Sequence, residues 1–214
     1  MASTAAAATL EALRERIRVL EGGSRVHRAR LLTGVPEVDG LTRGLPRPGL
    51  VEASGREGAG ATRLVAAIVA ATTKSHRVAW VDVDRSLYPP ALAELGVDLA
   101  RLLVVRPPAD GARAEEWAME QLLRSGCFPL VVCSGAPRVS RAGGHRWGLA
   151  AEHGRCTGLV VARHPQRDLP VELRLQLGEG DRGGAWVSVA RDRDGGSGRG
   201  LPLGALPEGA DPWC

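Results

Sequence analysis

One turn does most to restrict the folds open to this chain. Gly55-Arg-Glu-Gly-Ala-Gly60-Ala61-Thr62 stands directly after the apolar run Leu50-Val-Glu-Ala53 and directly before a helical pattern over 62–73. A glycine-rich turn from a buried strand into a helix opens a strand-helix-strand unit, and the helix of such a unit must lie on one face of a parallel sheet. The rest of the chain repeats the alternation. Apolar or β-branched runs at 50–53, 77–83, 102–105, 129–133 and 157–162 predict strands, and helical patterns at 62–73, 89–95, 112–125 and 145–153 lie between them. The expected class is therefore α/β, a mostly parallel sheet flanked by helices. Near residue 171 the period drops to two: Val171, Leu173, Leu175 and Leu177 alternate with Glu172, Arg174 and Gln176, and Trp186-Val-Ser-Val-Ala190 follows a glycine-rich stretch. That pattern predicts antiparallel strands at the C-terminal end of the sheet.

Both ends of the chain read differently. Leu10, Leu13, Ile17 and Leu20 recur at helical spacing among arginines and glutamates, and Gly22-Gly23 closes the pattern. This predicts a short amphipathic helix, which with a basic linker makes up residues 1–30. A core over 31–194 and a Gly/Pro-rich tail over 195–214, expected to be mobile, complete the division.

With 214 residues, 44% of them hydrophobic and 24% charged, the composition is that of a globular domain and excludes a disordered or collagen-like chain. No apolar run reaches the roughly 20 residues of a membrane span, and the first residues lack a secretory pattern, so the expected location is the cytoplasm. Cys127, Cys133, Cys156 and Cys214 show no metal-binding spacing; the first three lie beside apolar residues, so buried reduced thiols are expected and no metal site is.

The turn at 55–62 has the spacing of a phosphate-binding P-loop, Gly-x4-Gly-Lys-Ser/Thr, with one element missing: Ala61 occupies the lysine position. Gly55, Gly60 and Thr62 keep the geometry of the loop, but the ammonium that would sit among the phosphates is absent. A second absence follows. A buried apolar strand in such a fold ends in a carboxylate that holds magnesium, and the corresponding run here is Leu130-Val-Val-Cys133. Arg63 stands two positions late on the helix and is not a substitute for the lysine. Asp82 and Asp84 end another apolar strand, where they are expected to cap the turn that follows. No catalytic residue and no cofactor are expected.

Several blocks in order, Leu32-Thr-Gly-Val-Pro-Glu-Val-Asp39, Gly44-Leu-Pro-Arg-Pro-Gly-Leu-Val-Glu52, the loop 55–62, Val81-Asp-Val-Asp84, Leu95-Gly-Val-Asp98 and Arg124-Ser-Gly126, resemble the ATPase core of RecA over about residues 31–135. Beyond residue 135, His145-Arg-Trp-Gly-Leu-Ala-Ala-Glu-His153 through Val161, with the run Val171-Glu-Leu-Arg-Leu175, is similar instead to the ImuA family, the shortened RecA-like proteins of bacterial mutasomes. The resemblance implies a RecA-like P-loop core that has lost catalysis and acts in damage-induced (SOS) translesion DNA synthesis. The partners it implies are RecA, an ImuB-like Y-family polymerase homologue and an error-prone replicative polymerase. A recombination mediator that binds DNA, or an ATPase with residual nucleotide binding, is the alternative.

Two surfaces are candidates for those contacts. Residues 134–174 carry seven arginines against three acids, and Arg138, Arg141, Arg146, Arg155, Arg163 and Arg167 lie where RecA places its DNA loops, so they are candidate contacts for single-stranded DNA. A solvated basic face explains the same arginines. Trp147, in helical register with Leu149-Ala-Ala, is expected in the core rather than as a stacking platform. Leu10, Leu13, Ile17 and Leu20 form the candidate docking stripe, on a partner or on the chain's own core.

Overall fold

Strands that are apolar on both faces need cover on both, and the chain supplies it by alternating strand and helix. The computed structural model describes residues 29–108, 113–135, 139–180, 184–195 and 197–204. In chain order the elements are β1 (Ala29–Leu31), α1 (Pro36–Thr42), β2 (Leu45–Arg47), β3 (Gly49–Gly55), α2 (Ala61–Thr73), β4 (Val78–Asp82), α3 (Pro89–Glu94), a 3-10 turn (Leu99–Arg101), β5 (Leu102–Val105), α4 (Ala114–Arg124), β6 (Leu130–Ser134), α5 (Arg141–Gly154), β7 (Thr157–Ala162), β8 (Leu173–Glu179), β9 (Ala185–Asp192) and β10 (Gly200–Pro202).

An eight-stranded sheet runs β10-β9-β8-β3-β7-β6-β4-β5. β8, β3, β7, β6, β4 and β5 are parallel, while β9 runs antiparallel to β8 and β10 antiparallel to β9. The alternation of side chains along each strand sorts them into two cores. Val51, Ala53, Trp80, Val132, Leu159, Leu175 and Val187 pack on one face with Leu64 and Ile68 of α2 and Val38 of α1. Leu50, Val81, Val131, Cys133 and Val160 pack on the other with Met119 and Leu123 of α4 and Trp147 and Ala151 of α5. Trp147 is fully buried and donates its indole N–H to the Glu116 carbonyl at 2.9 Å, as its register predicts.

The structure departs from the sequence reading in several places. β1 and β2 pair as a separate two-stranded antiparallel sheet, and α1 begins on Pro36 with Asp39 accepting from the Thr33 N–H at 2.9 Å; neither carries a periodic apolar signal long enough to read. α5 starts at Arg141, four residues before the predicted 145, because Ser140 caps it by accepting from the Gly143 N–H at 3.0 Å. β10 lies within the stretch assigned to the tail: Leu201 pairs with Val187, so residues 200–202 extend the sheet. Cys133 and Cys156 are buried thiols as expected, but Cys127 is exposed, in the turn after α4, despite its apolar neighbours. The N-terminal helix lies outside the described residues, as does Cys214.

Among the described residues no helix is long and apolar enough to cross a membrane, and no group of His, Cys, Asp and Glu side chains could hold a metal ion.

Candidate functional site

In open α/β sheets the ligand site lies outside the carboxyl ends of the parallel strands, where helix N-termini and loops converge. Here that edge carries the loops after β3, β4, β5, β6 and β7. The loop after β3 keeps its shape. Gly55 has no room for a side chain, since a Cβ there would lie 2.8 Å from the Leu177 carbonyl oxygen. Gly60, the residue before α2, sits at φ 86°, a region that favours glycine, and its carbonyl accepts from the Leu64 N–H at 2.9 Å. Within the loop the Ala59 N–H donates to the Arg56 carbonyl at 3.0 Å, so one of its amides is turned back onto the loop. Ala61 and Thr62 open α2, and Ala61 is buried.

Position 133 is apolar in fact as well as in type. Cys133 is fully buried in the core beneath α4 and α5, and burial, with Glu115 nearby, pushes its thiol far above the ordinary range. Its neighbour Ser134 accepts the Trp80 indole N–H at 2.8 Å. Among these groups nothing resembles a solvated carboxylate ready to hold a metal. Asp82 is fully buried and engaged: it accepts from Arg106 Nε at 2.9 Å and from the Leu87 N–H at 3.4 Å. Asp84 accepts from the Ser86 hydroxyl at 2.7 Å. Both acids cap the turn after β4, as the sequence suggested. At the two positions where the pattern puts the phosphate cation and the metal carboxylate stand Ala61 and Cys133, and Asp84, an exposed acid on this edge, is bonded to Ser86.

Among the described residues the candidate DNA arginines do not all face one surface. Arg138 lies outside the described residues, and so do Leu10, Leu13, Ile17 and Leu20. Arg141 is exposed at the start of α5, while Arg155 is exposed just past its end, at the amino edge of the sheet. Fourteen helical residues separate these two ends, about 20 Å of axis. Arg146 is committed elsewhere: its Nη2 lies 2.9 Å from Glu116 and its Nε 3.0 Å from Glu120, so it ties α5 to α4. Burial raises the Glu116 pKa, but hydrogen bonds from Ser140 together with the Arg146 charge outweigh it and hold this carboxyl below its ordinary value. Arg163 stands at the carboxyl edge, its Nη2 3.6 Å from Glu57 of the loop after β3, and Arg167 is exposed four residues on.

Sequence reasoning missed one arrangement beside this edge. Glu52, fully buried on β3, accepts from Arg174 Nε at 2.7 Å and from the Gln166 N–H at 2.8 Å. The available signal was a single acid inside the otherwise apolar run of a parallel strand, a position where a charge is tolerated only with a partner.

Once this geometry is in view, likeness to known proteins follows the same outline. The RecA N-terminal domain family matches residues 26–143. RecA of Ruminococcus albus is 39% identical over 101 residues, 46% of this chain and 25% of that protein. RecA of Synechocystis sp. is 38% identical over 113 residues, 51% of this chain and 31% of that protein. The chain spans about a quarter to a third of the length of the RecA proteins it matches. The crystal structure of the RadB recombinase superposes with a TM-score of 0.65 at 18% identity, over 80% of this chain and 94% of that one, a likeness of fold. The mostly parallel α/β architecture with antiparallel C-terminal strands, expected from the sequence, is that fold.

Proposed function

We propose, from the premise that this chain belongs to the RecA N-terminal domain family, that it is a catalytically inactive RecA-like accessory protein. In this reading it is a scaffold of the ImuA kind in damage-induced translesion synthesis, binding RecA, an ImuB-like polymerase homologue or both, in the cytoplasm. One observation carries the loss of catalysis: the frame of a phosphate loop is intact, yet Ala61 replaces its cation and Cys133, sealed beneath α4 and α5, replaces the metal acid. Charge stabilisation on the transferred phosphoryl group is most of what such a site contributes to the reaction, so a frame without either charge retains a shape and loses the chemistry. A shape kept after chemistry is gone fits a protein whose surfaces, rather than its turnover, are used.

The test is a pair of measurements on the full chain. Calorimetry with Mg-ATP is expected to give no saturable heat, and RecA and the ImuB-like chain from the same cell are expected to be retained by the immobilised protein. Micromolar nucleotide binding with turnover would replace the scaffold by the ATPase alternative; retention of neither partner, beside tight binding of single-stranded DNA, would replace it by the mediator.

A further inference from the structure

The chain between β7 and β8, residues 163–172, leaves the carboxyl edge, doubles back over β3 and enters β8. Its course is fixed by a buried pair. Glu52 and Arg174 face each other in register on adjacent strands, and between them they hold both backbone groups of Gln166: the N–H donates to Glu52 Oε1 at 2.8 Å, and the carbonyl accepts from Arg174 Nη2 at 2.7 Å. Further along, Leu169 and Val171 are buried in the core under α5, and Glu172 accepts from the Leu50 N–H at 2.6 Å. Residues 163–165, Arg167 and Asp168 remain exposed on this anchored strip.

We propose that this connection is a preformed turn which presents Arg163, His164 and Arg167 to an acidic protein segment, with Glu52 and Arg174 as the positioning residues that set its shape. Because the free protein already holds the turn, a partner does not have to order it, which removes one of the usual costs of association. The chemistry of the occupant is indicated by what Arg163 faces now, the Glu57 carboxylate, across a pair whose side chains are 71% and 83% exposed. A pair so open to water adds little stability and is readily exchanged for a carboxylate from outside. Nucleic acid fits less well. Residues 163–172 contain no Phe, Tyr or Trp, which leaves His164 as the one ring on which a base could stack, and of the described arginines on or beside α5 Arg146 is held by two glutamates and Arg155 lies at the far edge, so only Arg141 could extend a track. The inference does not depend on the scaffold reading, because an active ATPase could carry the same turn.

Fluorescence anisotropy on the full chain tests it, with a short labelled poly-glutamate peptide and, in parallel, labelled oligo-thymidylate of matching length. The peptide is expected to bind. Arg163→Glu with Arg167→Glu is expected to weaken it roughly tenfold or more, while Glu57→Gln, which releases Arg163, tightens it about two- to fivefold. Glu52→Gln is expected to speed amide exchange across 163–168 and to weaken the peptide although every surface arginine remains. If that variant does not fold, Arg174→Lys, which keeps the charge and loses the fork, is measured the same way. No peptide binding by the unaltered protein, an unchanged affinity in the double charge reversal, or unchanged exchange at 163–168 in the clamp variant overturns the proposal. So does oligo-thymidylate binding more tightly than the peptide through the same arginines, which would make the turn a nucleic-acid surface.

Discussion

A carboxylate placed at position 133 would lose its water without gaining a counter-charge, because Cys133 lies in an apolar core with Glu115 as the charge that acts on it. Cys133→Asp alone is therefore expected to destabilise the protein by about 3 kcal/mol, read as a lower urea midpoint, and not to restore nucleotide binding. Ala61→Lys with Cys133→Asp is the pair that tests whether the frame still works; any Mg-ATP binding it recovers should appear only in the double variant. Cys156 shows the same effect of burial in milder form, its thiol pushed up to about 12, with Arg47 pulling the other way. Its consequence is chemical inertness: in the folded protein a thiol reagent is expected to label exposed Cys127 far faster than Cys133 or Cys156. The reverse order would mean that the core opens readily.

The seam between α4 and α5 gives a charged residue a structural role that its place in a basic segment conceals. Arg146 spans Glu116 and Glu120, so Arg146→Ala is expected to cost about 1–2 kcal/mol in thermal or urea unfolding, less than a fully buried pair because the Arg146 side chain is 42% exposed. Arg141→Glu at the exposed start of the same helix should leave stability nearly unchanged. A DNA contact would give a different pattern in binding assays, with substitution of Arg141 and of Arg146 each lowering affinity and its salt dependence. Glu116 adds a pH signature. Its folded-state pKa lies below the ordinary value, so its contribution is present above the unfolded carboxyl pKa and is lost as pH falls through the folded one. Glu116→Gln should accordingly flatten the acid side of the stability profile; an unchanged profile would place the acid sensitivity elsewhere. For the N-terminal amphipathic pattern, Leu13→Asp with Ile17→Asp separates its two roles. A helix docked on a partner loses binding at nearly constant melting temperature, whereas one folded on its own core loses stability first.

At the scale of the whole molecule, a ligand that binds only the folded state raises its stability by mass action, about 2.7 kcal/mol at a concentration 100 times its Kd, enough to move the melting temperature of a domain this size by several degrees. Millimolar Mg-ATP is expected to produce no such shift here. The order of strands and helices from residue 49 to 192 was legible in the sequence, because long apolar runs and 3.6-residue patterns report burial directly, and so were the uncharged residues at positions 61 and 133, because Ala61 and Cys133 are chemical identities that no packing can alter. The small pieces were not legible: β1, β2, α1 and β10 span three to seven residues each, too few for a period, and exist because Arg30 and Leu201 find partners far along the chain or across a strand while Asp39 bonds Thr33 six positions back. Nor was the use of the charges. Whether Arg146, Arg155 and Arg163 form one surface, and whether Glu52 is tolerated in a core, depends on which atoms stand within about 3 Å, and charge neutralisation at that range joins residues such as Glu52 and Arg174, which are 122 positions apart. The sequence by itself determined the fold class and the residue types at positions 61 and 133; only the tertiary structure decided which arginines are spent inside the fold and which are left exposed, because electrostatic pairing follows distance in space and not position along the chain.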